Sequence, residues 1–504
     1  MLAYAELELI DEILALRREN AELRSKLAER DERIAALEAT VAKLSKMLFG
    51  KKSEKMPRAK QEINKQDGVQ TDKEAAQKKR KKREEERKRT AKEVEIHHDV
   101  PEADRHCPNC SEQDLKKAGS KSSVLIEWVP GHFERQTHIQ NSYACPCCDY
   151  IVTADGPQRP TEGGQYGAGF MSHIVVSKCA DSIPFYRMEK QFRRIGIPIS
   201  RSTLCDLFHQ AADILVPLYQ RMAAYVALSL LVLADETPLP VLDKKLNKTR
   251  KGYVWIFLTN DIAYYRFSPT RSGETPGEVL GNSPGTLLVD GYTGYNQVTT
   301  PDSRERAGCW AHVRRKFFDS LKQAPEETKY ILDQILNLYR VEYEAVNREI
   351  TGKPIHRQLR LEKSGPILAH IKTWAEQQRP NFLPKSPMGQ AFTYMLNQWG
   401  PLNHYLTDAH IPIDNNGSER SLRLIAKGRD NYMFAGNDVA AQNLAQNMSF
   451  VVSCEIHGVN PEVYLADVLI RVQTHPAKDI DDLLPHRWKE LFAPDIPNST
   501  FDIS

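Results

Sequence analysis

No stretch of this chain of 504 residues comes near the ~18 successive apolar residues that a membrane-crossing helix needs, and the charged N-terminus is not that of a signal peptide. A cytoplasmic protein is expected. Cysteine is scarce, at nine residues, and four of these fall in Cys-x-x-Cys pairs, which favours metal binding over disulfides in a reducing compartment. Net charge is nearly absent, with 69 Lys and Arg against 66 Asp and Glu, so overall charge says little about partners. Its distribution says more. Residues 51–92 are strongly basic around Lys78-Lys-Arg-Lys-Lys-Arg83, while the flanking parts are nearly balanced. At roughly 150 residues per domain, the length allows three or four units and at least one large core.

What is present begins with a heptad pattern. Ile13, Leu16, Leu23, Leu27, Ile34, Leu37, Val41, Leu44 and Leu48, with Asn20 and Arg30 filling the two gaps, alternate steps of three and four, which predicts a coiled coil over residues 1–50. Asn20 occupies a core position and fixes register, and Arg30 takes another at some cost in stability. Glu12 with Arg17, Glu19 with Arg24, Lys26 with Asp31 and Arg33 with Glu38 are opposite in sign across a parallel pair. A homodimer is expected. Residues 51–100 then read as a basic linker, able to release counterions from a phosphate backbone.

Cys107-Pro-Asn-Cys110 and Cys145-Pro-Cys-Cys148 lie on either side of short strand-like runs within residues 101–155. Four thiolates from two such knuckles close a tetrahedral zinc site, so a zinc ribbon holding one structural ion on Cys107, Cys110, Cys145 and Cys148 is predicted. Cys147 could take the place of one ligand, and His106 is a weaker candidate. Within residues 165–225, two helices around Tyr186–Arg194 and from Ser200–Ser202 onward flank Gly196-Ile-Pro-Ile, a spacing that fits a helix-turn-helix.

The chemistry is expected further on. Leu230-Leu-Val-Leu-Ala-Asp235 is a short apolar run that ends in a carboxylate before turn-forming residues, and Thr286-Leu-Leu-Val-Asp290 repeats the pattern. Each reads as a strand ending in an acid. Tyr253–Thr259 and Ile262–Phe267 form a meander with the first run, and a helix around Glu278 makes the 286–289 strand parallel to its neighbour. If that neighbour is the Leu230 strand, Asp235 and Asp290 stand side by side, in the order of ribonuclease-H-like nucleases. A third acid, Glu419, recurs with Arg423 and Lys427 at four-residue steps on one helix face, beyond about a hundred helical residues. Three converging carboxylates suit two magnesium or manganese ions and phosphodiester chemistry. The fold class expected is multidomain α/β: a ribonuclease-H-like core (226–312 and 411–450) interrupted by a helical insertion (313–410), then a C-terminal segment (451–504).

Phe49-Gly-Lys-Lys-Ser-Glu-Lys, the two cysteine pairs, Gly196-Ile-Pro-Ile-Ser-Arg-Ser-Thr-Leu, Ala234-Asp-Glu-Thr, Val289-Asp-Gly-Tyr, Cys309-Trp-Ala-His-Val-Arg-Arg, Pro412-Ile-Asp-Asn-Asn-Gly-Ser-Glu-Arg-Ser-Leu-Arg and Pro461-Glu-Val-Tyr-Leu occur in that order. Together they resemble transposases of the insertion-sequence-66 family across nearly the whole chain. Ser111 and the extra Cys147 depart from the family pattern, while Leu483-Leu-Pro-His-Arg-Trp488 is similar to its C-terminal ending, so an untruncated chain is expected. The resemblance implies that Asp235, Asp290 and Glu419 are the catalytic acids of a bacterial DNA transposase. It also implies terminal inverted repeats as substrate, two short companion proteins, and a nucleoid-associated location. Water would first attack the phosphodiester at the element's end, and the freed 3′-hydroxyl would then attack target DNA. Arg314, Arg315, Arg420, Arg423 and Lys427 are candidates for phosphate contacts, and Cys309 with His312 is expected to pack the insertion onto the sheet. The alternatives are a nuclease of the same fold without strand transfer and a non-catalytic, zinc-dependent DNA-binding protein from a decayed element.

Overall fold

The computed structural model describes residues 157–493, other than 244 and 246, and the backbone of two short strands, β1 (Ser142–Ala144) and β2 (Ile151–Thr153). The predicted coiled coil, the basic linker and the zinc-site cysteines lie outside the described residues. The two strands pair antiparallel, Ala144 opposite Ile151, and the chain joining them is the stretch that carries Cys145-Pro-Cys-Cys148.

Four helices come first: α1 (Ala168–Cys179), α2 (Phe185–Arg194), α3 (Arg201–Ile214) and α4 (Val216–Leu228). The α2–α3 pair falls where the sequence places it, and the Ser200 hydroxyl caps α3 by accepting from the Thr203 N–H at 3.2 Å. Leu204, Leu207, Phe208, Ala211 and Ala212 of α3 are buried, while Arg201, Asp206 and Asp213 are exposed, as are Arg187, Lys190, Arg193 and Arg194 of α2.

The centre is a five-stranded sheet made of β3 (Leu231–Asp243), β4 (Lys248–Leu258), β5 (Ala263–Ser268), β6 (Gly285–Val289) and β7 (Arg304–Gly308). Its order is β5-β4-β3-β6-β7, with β5, β4 and β3 antiparallel and β3, β6 and β7 parallel. The meander and the parallel crossover agree with the sequence. The crossover runs through a short helix, α5 (Glu274–Leu280). Gly285 enters β6 at φ +119°, and a Cβ there would sit 2.3 Å from the Leu230 carbonyl oxygen. Gly285→Ala is therefore expected to lower stability by about 2 kcal/mol or more, read as a fall in the denaturation midpoint.

One expectation needs correction, and one strand was not foreseen. Asp235 does not end its strand, because β3 runs on past it to Asp243 through Pro238 and Pro240. Beyond Leu233 the β6 side of β3 is open. The Pro240 carbonyl faces that open side and accepts the Ala435 N–H at 2.9 Å, so the proline nitrogens, on the same side, forfeit no bond to β4. The unforeseen strand is β7, which the sequence does not announce: Arg304-Glu-Arg-Ala-Gly has no apolar alternation. Arg304 is nonetheless buried, donating to the Ala227 carbonyl at 2.9 Å and the Ser283 hydroxyl at 3.1 Å.

After β7 the chain is helical: α6 (Trp310–Asp319), α7 (Pro325–Asn347), α8 (Pro354–Leu359), α9 (Gly365–Gln378), α10 (Pro387–Asn397) and α11 (Trp399–Asn403). Leu288, Ala307, Trp310, Phe317, Ile335, Phe392 and Met395 share one core, joining the sheet to these helices. Then follow α12 (Asn416–Tyr432), α13 (Asp438–Ile456), α14 (Pro461–Arg471) and α15 (Pro485–Leu491). Helix α13 covers the sheet's β5 edge. Its Ser453 and Ser449 hydroxyls accept the Ala263 and Tyr265 N–H groups at 2.9 and 2.8 Å, which removes unpaired donors from an exposed edge. Among the described residues no helix is long and apolar enough to cross a membrane.

Candidate active site

The sheet sets the first two acids in register. Leu233 of β3 pairs with Leu288 of β6, and Asp235 and Asp290 each lie two residues further along parallel chains. Because side chains alternate along a strand, Asp235 shares a face with Leu231 and Leu233. Asp290 begins a turn in which its Oδ1 accepts the Tyr292 N–H at 2.9 Å. Arg306 of β7 fastens that turn from behind, donating to the Asp290 and Tyr292 carbonyls at 2.6 and 2.8 Å.

Glu419 arrives on the first turn of α12, and a residue that sequence reasoning missed brings it there. The Asn415 side chain, buried at the helix start, donates from Nδ2 to the Ala234 carbonyl at 2.7 Å and accepts the Ser418 hydroxyl at 2.5 Å. The helix start is thus tied to the residue before Asp235. Gly417 permits the approach, since a Cβ there would stand 3.1 and 3.3 Å from the side chains of Leu258 and Leu233. The signal was present in Asp414-Asn-Asn-Gly-Ser, a helix-start composition.

A second layer surrounds the acids. Glu236 accepts the Tyr295 hydroxyl at 2.7 Å and the Arg271 Nε–H at 2.6 Å, and the Arg271 guanidinium lies 4.0 Å over the Tyr292 ring. Burial pushes the Glu236 carboxyl up, against the hydrogen bonds from Tyr295 and Arg271. Asp235 is pushed up to about 7, by burial first, then by the charge of Glu236, with Asp290 and Glu419 adding to it. A carboxyl that gains a proton in the folded state more easily than in the unfolded state makes the fold lose stability as pH rises, here from about 4 to about 7. Without magnesium or manganese, Asp235→Asn should therefore melt higher than the parent protein at pH 8, by a few kcal/mol at most at about 1.4 kcal/mol per pK unit. The gap should close toward pH 4. A variant less stable than its parent at pH 8 would show the burden is not there.

On the other side of Glu419 stands α6. Arg315 donates to Glu419 Oε2 at 3.4 Å, and His312 Nδ1 lies 3.7 Å from Glu419 Oε1. Burial pushes the His312 imidazole down, against the charges of Asp290 and Glu419, and pushes the Cys309 thiol up to about 12. Cys309 Sγ accepts the Asn415 N–H at 3.2 Å, and Trp310 Nε1 donates to the Leu402 carbonyl at 2.9 Å. The packing expected of this motif is thus done by Cys309 and Trp310, whereas His312 turns to the acid. Of the basic candidates, Arg314 is half-buried beside Phe318, and Arg420, Arg423 and Lys427 are exposed on α12.

A family model described as "Transposase IS66 family" matches residues 163–443, more than half of the chain and all three acids. The chain belongs to the IS66 transposase family. Residues 104–149 match the zinc-finger binding domain of transposase IS66, and residues 449–486 match the IS66 C-terminal element. Among relatives of this IS66 protein, uncharacterized protein y4jD of Sinorhizobium fredii is 31% identical over 404 residues, 76% of this chain and 78% of the relative. Uncharacterized protein y4hP of the same organism is 28% identical over 498 residues, 91% of this chain and 90% of its own.

Proposed function

We propose that this IS66 transposase cuts the ends of its element and joins them to target DNA at a site formed by Asp235, Asp290 and Glu419. The observation that carries this is the register of β3 and β6, which sets Asp235 and Asp290 abreast, with Asn415 tying the Glu419 helix to Ala234. The strand order supports a ribonuclease-H-like core, three antiparallel strands followed by two parallel ones through a helical crossover. The residues suit divalent metal in kind: oxygen donors only, a carboxyl at Asp235 burdened first by burial and then by its acidic neighbours, and a buried Glu419 Oε1 with no hydrogen-bond partner. Unlike the donors of Cys309, His312 and Glu419, their oxygens are not drawn within 4.8 Å of one another. Two magnesium or manganese ions bound there would polarise the attacking and leaving oxygens of a phosphodiester. The protein's own part is to hold the carboxylates in place and to exclude water behind them through Tyr295, Glu236 and Trp255. Arg420, Arg423 and Lys427, exposed on the Glu419 helix, and Arg314 and Arg315 on α6 would take the phosphates beside the cut.

The N-terminal third would deliver DNA and pair the ends: the coiled coil as a parallel dimer, the basic linker along the backbone, and the four cysteines around zinc. The α2–α3 pair, with Arg187, Lys190, Arg193 and Arg194 exposed on α2 and Arg201 exposed at the start of α3, would add a helix-turn-helix contact to DNA. The two companion proteins and the inverted repeats belong to the same proposal. After dialysis against metal-free buffer, about one zinc per chain should remain, lost on Cys107→Ser or Cys148→Ser, whereas a zinc-free folded protein would remove the assignment. The function itself is tested by incubating purified protein with a supercoiled plasmid carrying the element's ends and magnesium. Cut ends joined to new sites are expected. Cutting without joining would make it a nuclease, and binding without cutting a DNA-binding protein.

A further inference from the structure

Cys309, His312 and Glu419 offer one sulfur, one nitrogen and one oxygen, all within 4.8 Å of one another. They come from two helix starts that the Cys309–Asn415 hydrogen bond pins together. Two of the atoms are anomalous. His312 Nδ1 and Glu419 Oε1 are both buried, neither has a hydrogen-bond partner, and they face each other across 3.7 Å. Leaving a buried polar atom unsatisfied costs about 1–3 kcal/mol, so a facing pair calls for something between them. Arg315 occupies the other oxygen of Glu419 and leaves Oε1 available.

We propose that Cys309, His312 and Glu419 form a second zinc site, and that zinc bound there withdraws Glu419 from the magnesium site and so inhibits strand cleavage reversibly. The donor set selects the metal. Thiolate and imidazole suit zinc and reject magnesium, which takes oxygen. Tetrahedral bonds of about 2.0–2.3 Å separate two ligands by roughly 3.3–3.6 Å, close to the gap between His312 and Glu419. On coordination the Cys309 thiol releases its proton to solvent and the neutral imidazole gives its lone pair, with the fourth position left to water. The binding half stands on geometry alone, while the inhibition half rests on the function proposed above.

The test uses the full chain with its four-cysteine zinc in place. Equilibrium dialysis against micromolar zinc should find a second equivalent, and cobalt added to the zinc-loaded protein should give a thiolate-to-cobalt absorption band. Cys309→Ser keeps an acceptor for the Asn415 N–H and should abolish the band. His312→Gln, a second variant on an independent ligand, should weaken binding at least tenfold. In a magnesium-supported cleavage assay, zinc should inhibit and a chelator should restore the rate, with His312→Gln needing at least tenfold more zinc relative to its own uninhibited rate. A single equivalent in the parent protein, a second equivalent that survives both substitutions, or cobalt binding without the thiolate band would overturn the site. Zinc that binds as described without slowing an active protein would overturn the inhibition. A protein that binds zinc here but never cleaves DNA would leave the site standing and remove the function proposed above.

Discussion

Asp290→Asn should fold, bind element ends as the parent does, and cut them at least a thousandfold more slowly. Asp290 stands at the mouth of two parallel strands, its carbonyl held by Arg306 and its Oδ1 accepting the Tyr292 N–H, which an asparagine Oδ1 also accepts, so the amide replaces it without disturbing the turn's shape. What is lost is one charge where two cations would sit, on the order of 4 kcal/mol of transition-state stabilisation at 1.36 kcal/mol per decade. Asp235→Asn and Glu419→Gln should do the same. Because the three act as a unit, a double substitution should cut little more slowly than either single one. Cleavage of labelled end fragments, beside a binding titration and a melting curve, reads all of this. Normal cutting by a folded Asp290→Asn protein would remove the assignment.

Asn415→Ala should cost about a hundredfold in cleavage although Asn415 would touch neither DNA nor metal. The substitution strips the helix start of its tie to Ala234 and leaves that carbonyl without its partner, while the Ser418 hydroxyl keeps the Asn415 backbone carbonyl alone. Stability should fall by about 1–3 kcal/mol. The larger effect is on Glu419, one turn along, since a misplacement near 1 Å in a reacting site costs about 10²-fold. Asn415→Asp keeps an acceptor for the Ser418 hydroxyl but loses the N–H donated to the Ala234 carbonyl. It should therefore recover part of the stability and little of the rate. If Asn415→Ala lost stability yet cut at the parent rate, Asn415 would be a helix cap and no more.

The chain's apolar punctuation made much of this legible. Leu230–Ala234 and Thr286–Val289 are short apolar runs closed by an acid, and the distance between them leaves room for a meander and one helix, which is what fixes their adjacency. The α2–α3 pair and the helices from residue 325 onward follow from their prolines, caps and spacing. Three things were not legible, each for a physical reason. Strand β7 is formed by arginine and glutamate, because it is an edge whose partners for Arg304 are backbone carbonyls far away in sequence. The continuation of β3 through two prolines depends on where β6 stops, a tertiary fact. The role of Asn415 and the turn of His312 toward Glu419 depend on how α6 and α12 meet, which no local pattern encodes.

Anomalous diffraction from crystals grown with manganese tests most directly whether Asp235, Asp290 and Glu419 hold divalent metal. Two manganese ions should appear, each about 2.0–2.3 Å from carboxylate oxygens, with Asp235 and Asp290 on the first and Glu419 completing the pair. Crystals saturated with manganese in which no anomalous peak lies against Asp235 or Asp290 would contradict the account.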